Sequence, residues 1–156
     1  MFEKDNDGAA ILKTLTDTLA DSVTGYREAG QHIDSEEFRQ MFTELGDERS
    51  QVLSDLEAEL TRMGGSADRD GTMMGSLHQS WMDLKASLTG NDDKAVINEV
   101  ERGEDYLKEK FEAAMASDML DGNVRGIVER AYGSVREGHD RVSALKHSLE
   151  GQPANG

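Results

Sequence analysis

Apolar residues recur along this chain at three- and four-residue steps in four long runs. Leu12, Leu15, Leu19, Val23 and Tyr26 form the first stripe, and Phe38, Met41, Phe42, Leu45, Val52, Leu56, Leu60 and Met63 the second. The third holds Val96, Val100, Leu107, Phe111 and Ala114, and the fourth Val124, Val128, Ala131, Val135, Val142 and Leu149. Such spacing gathers each set on one face of a helix. The first helix is predicted over about 7–33, broken at Asp34 and Ser35, either of which can cap the second. The second stops at Gly64-Gly65. Asn91 and Asp92 can cap the third, and the fourth follows Asp121-Gly122. No segment alternates with a period of two, and the single proline lies in the tail, so the chain reads as all-α.

The connections select the architecture. A short turn joins the first two helices and another joins the last two, whereas the second reaches the third through a glycine-rich polar stretch and a short amphipathic segment. That segment, about 75–89, carries Leu77, Trp81, Leu84 and Leu88. Two hairpins and one long crossover predict a ferritin-like four-helix bundle with an extra short helix in the crossover. One domain is expected over 1–150, followed by a disordered tail at 151–156.

Polar residues interrupt three of the stripes. Each helical residue advances about 100°, which sets Glu48 and Arg49 where the second stripe calls for apolar side chains. Glu104 falls between Val100 and Leu107 with Glu101 on its flank, and His139 between Val135 and Val142. At ~1.5 Å per residue, Glu48 lies ~21 Å past the first turn and Glu104 ~22 Å before the last. If the crossover runs the length of the bundle, both carboxylates come to its middle, where bundles of this topology hold metals. Glu48, Glu101, Glu104 and His139 are therefore the candidate ligands of a divalent iron, manganese or zinc ion. Each also has a plain structural reading: Glu48 ion-paired to Arg49, His139 hydrogen-bonded to a neighbour, Glu104 reaching out from the edge of its stripe. The strict di-metal pattern needs Glu-x-x-His on two helices, which the chain lacks, and the first helix offers only Thr16, Ser22 and Tyr26. A complete di-iron ferroxidase centre is not expected, and catalytic activity stays open.

A second constellation, Asp17, Asp21, Glu28 and His32, lies opposite the first stripe and reads as a solvated acidic face, an oligomer contact or a surface cation site. In the crossover, His78 and Trp81 are candidates for packing on the bundle or on a partner chain. Composition narrows the partners. Thirty-two acids against 17 Lys and Arg give a net charge of -15, which repels nucleic acid and anionic lipid, and no run of residues is apolar enough to span a bilayer. With no cysteine, thiol chemistry is excluded and the cytoplasm is the expected location.

The runs YREAG at 26–30, MGSLHQSWMDLKASLTGNDDKAV in the crossover, ERGED at 101–105 and GHDRVSAL at 138–145 resemble a bacterial ferritin-like four-helix-bundle family catalogued as a domain of unknown function. The likeness covers roughly 7–149 and singles out Asp21, Gly25, Tyr26, Glu28, His78, Trp81, Glu101, Glu104 and His139. It implies a stress or metal-handling role without supplying an activity. Two readings follow: a bundle holding a divalent metal at a degenerate mid-bundle carboxylate and histidine site, or a non-catalytic structural or stress-response interaction protein with no metal. A homo-oligomer fits either one. On the metal reading, Glu104→Leu leaves the metal-free bundle as stable or more so; on the other it destabilises it.

Overall fold

The computed structural model describes residues 2–64, 93–118, 120 and 122–150, so the predicted crossover helix with His78 and Trp81, and the tail, lie outside the described residues. Four helices make up what is described: α1 (Phe2–His32), α2 (Glu36–Arg62), α3 (Asp93–Ala116) and α4 (Gly122–Glu150), with no strand among the described residues. The first starts five residues earlier than its apolar stripe implied. The sequence signals for the α1–α2 turn and the end of α2 operate as expected. Ser35 caps α2, its hydroxyl accepting from the Phe38 amide at 3.3 Å, and Gly64 takes a left-handed φ of 85° just past the end of that helix.

Chain direction follows from two ends. The α1–α2 turn is clasped by the first residue of α3: the Asp93 carboxylate accepts from the amides of Asp34 (2.8 Å) and Ser35 (3.1 Å). Arg39 finishes the same turn from inside α2, donating to the carbonyls of Gly30 and Ile33 that the end of α1 leaves open. Thus α2 and α3 start at one end and run parallel, and residues 65–92 link opposite ends of the bundle. At the other end Arg125 of α4 donates to the carbonyls of Met115 and Ser117, closing the α3–α4 turn. The described helices form a four-helix bundle.

Helices α1 and α2 pack most extensively, then α3 and α4; the α1–α3 and α2–α4 sides are looser, which leaves α2 and α3 facing each other across a diagonal. Gly46 faces Tyr26 in the α1–α2 interface, where a Cβ would lie 3.4 Å from that of Tyr26. The buried apolar residues fall into two clusters instead of one. Leu12, Leu19, Leu56, Leu107, Phe111 and Val128 belong to the cluster toward the α3–α4 turn, and Ile33, Phe42, Leu45, Ile97, Val100 and Val142 to the one toward the α1–α2 turn. A polar layer lies between them. Among the described residues no helix is long and apolar enough to cross a membrane.

Candidate functional site

The layer is built around Arg49 and Glu104, which are 1% and 0% exposed. Arg49 projects from α2 across the diagonal and grips both oxygens of Glu104 on α3, at 2.6 and 2.5 Å. Its remaining donors go to Ser22 Oγ on α1 at 3.0 Å and to the Val135 carbonyl on α4 at 3.3 Å, so the guanidinium touches all four helices. The Tyr26 ring lies under it, with the guanidinium carbon 5.6 Å from the ring centroid. Room for this comes from Gly138, where a Cβ would fall 2.6 Å from Arg49 Nη2 and 3.4 Å from Glu104 Oε2. Electrostatics match the geometry. Burial works against a charged Arg49, but the Glu104 carboxylate beside it outweighs burial and holds the guanidinium protonated, above its usual range. Burial, and then the negative charge of Glu104, push the Tyr26 phenol well above its ordinary pKa.

Each predicted ligand has its own partner. Glu104 is committed to Arg49. Half-buried Glu48 accepts from the Ser134 hydroxyl at 2.9 Å and is not the ion-pair partner of Arg49. Glu101 pairs with Lys146 at 2.8 Å. His139, 17% exposed, sets Nε2 2.6 Å from Asp105 and Nδ1 3.2 Å from Asp140. Burial lowers the His139 pKa, but the hydrogen bonds and charges of Asp105 and Asp140, with Glu104 behind them, more than offset it and leave it raised. Among the described residues no three His, Asp or Glu side chains stand close enough to share an ion. As arranged, this donor set does not fit a di-metal centre, because the best-placed carboxylate has both oxygens on a guanidinium.

The acidic face of α1 needs correction. Asp17 and Asp21 are 3% and 1% exposed, not solvated; they line a cleft of about 410 Å³ with Ser50, Ser54 and Glu57 of α2, and Lys13 Nζ lies 3.5 Å from Asp17. Burial on α1 extends beyond the apolar stripe here, from Leu15 through Leu19 without a break and again at Asp21 and Ser22. Thr16 and Thr18 survive there by returning their hydroxyl bonds to the carbonyls of Lys13 and Thr14, both at 2.8 Å. Glu28 is half-buried, and exposed His32 donates from Nδ1 to the Glu28 carbonyl at 2.9 Å. The residue that sequence reasoning undervalued is Arg49. Its signal was present, a cation on an apolar stripe.

The chain belongs to the family of the domain of unknown function DUF2383, which matches residues 7–117. The match spans α1 through α3 and ends before α4, so the run GHDRVSAL with His139 lies beyond it. No curated protein matches the chain.

Proposed function

We propose that this member of the DUF2383 family is a non-catalytic bundle that acts through its surface, as a structural or interaction protein, with Arg49 supplying at mid-bundle the positive charge that a cation supplies in metal-holding bundles. The observation that carries this reading is the fully buried Arg49–Glu104 pair, in which both carboxylate oxygens are already bonded. A carboxylate so held must exchange a guanidinium and its four-helix hydrogen bonds before it can take an ion. The acidic, cysteine-free composition suits a reducing, cytoplasmic setting.

The test is elemental analysis of untagged protein purified without chelator, followed by melting with added iron, manganese or zinc. The expected result is sub-stoichiometric metal, an unchanged melting temperature and no oxygen consumption with ferrous iron. The competing reading is a single divalent ion on Glu48, Glu104 and His139, three residues that interrupt the apolar stripes of three different helices. Stoichiometric metal that disappears in Glu104→Gln would establish that reading and overturn ours.

A further inference from the structure

One side of the bundle lies between α2 and α4. A groove of about 390 Å³ runs there over Leu56 and Ala131, walled by Val52, Ala58 and Ile127. Its rims differ in charge. Asp55 stands exposed on α2 and Arg130 exposed on α4, at one level of this antiparallel pair, and among the described residues Arg130 has no ion-pair partner. Beside Arg130 on the outer face of α4 lie Gly126 and Gly133, where a Cβ would meet nothing within 4 Å. Glycine weakens a helix interior, and neither backbone conformation nor internal crowding calls for it at these two positions.

We infer that this groove is the face on which a second copy of the chain docks, related by a two-fold axis parallel to the helices. Rotation about such an axis lays each α2 rim on the opposing α4 rim. Asp55 then meets Arg130 of the partner subunit, and the symmetry makes that contact twice while the apolar floors close on each other. An axis perpendicular to the helices would instead set acid on acid and arginine on arginine. Charge also selects the occupant. A partner of a single charge sign would satisfy only one of the two rims. A second copy carries one acid and one base at the required separation by symmetry alone. This names a partner for the surface-acting protein and rests on that reading only for its biological meaning; the experiment reads mass, not metal content, so either proposal can fail by itself.

Sedimentation equilibrium across the micromolar range is expected to give a mass rising to that of a dimer. Asp55→Arg and Arg130→Asp should each weaken association about tenfold or more, a change readily resolved by this method. The double reversal, Asp55→Arg with Arg130→Asp, should restore it. Circular dichroism melts establish that all three variants are folded, since both positions are exposed. A monomer at every concentration, an association indifferent to the single reversals, or a double reversal that stays dissociated overturns the inference.

Discussion

Glu104 is the residue on which the two sequence-based readings differ in sign. With Arg49 as its partner, Glu104→Leu no longer removes an uncompensated charge. It strands a buried guanidinium that has lost two charged hydrogen bonds, which typically costs ~3 to 5 kcal/mol. Urea denaturation should register that loss equally with and without chelator, and Arg49→Met combined with Glu104→Leu should recover most of it, because apolar side chains can replace a buried pair with little penalty. A Glu104→Leu protein as stable as wild type would contradict this account. Glu104 was readable from its place on an apolar stripe. Its partner was not, because a single helical wheel says which way Arg49 points and nothing about which residue waits across the diagonal. Asp17 and Asp21 were misread for a related reason: one stripe defines one buried face, and α1 also buries these two residues outside it.

Between elements, the α3–α4 pair is held on its outer side by Lys146 to Glu101, His139 to Asp105, and Tyr132 to Glu112. The middle link carries His139, whose imidazole changes charge near neutrality. Both ring nitrogens of His139 face carboxylates, a site satisfied in full by the doubly protonated ring. Its folded pKa is raised above the unfolded value of about 6.5, so the stabilisation is complete below that value and is lost as pH rises through the folded pKa. The stability gap between wild type and His139→Gln, measured by urea denaturation from acidic to mildly alkaline pH, should be widest at the acidic end and close upward. A gap that widens with pH would refute the assignment. The existence of the four helices, the Ser35 cap and the Gly64 stop were legible because each depends on neighbours a few residues away, whereas the start of α1 was not. The Asp93 clasp on the α1–α2 turn joins positions 59 and 58 residues apart, and no local pattern encodes it.

For the whole molecule, charge and topology make separate statements. A net charge of -15 with no basic cluster opposes the phosphate backbone, so micromolar protein should leave a random DNA duplex or single-stranded RNA unshifted in a gel at physiological salt. A retarded band would contradict that. The bundle order was legible from connection lengths, whereas the division of its core into two clusters was not, since every stripe runs through both. The layer between those clusters has a consequence for how the two hairpins find each other. The α1–α2 hairpin carries Arg49 on its apolar face, and the α3–α4 hairpin carries Glu104 on its own. Two copies of the first hairpin pressed together would bury two cations, and two copies of the second two anions. Only unlike halves neutralise on meeting, so the ion pair works as a mating code that keeps a half-made bundle from closing on its own twin.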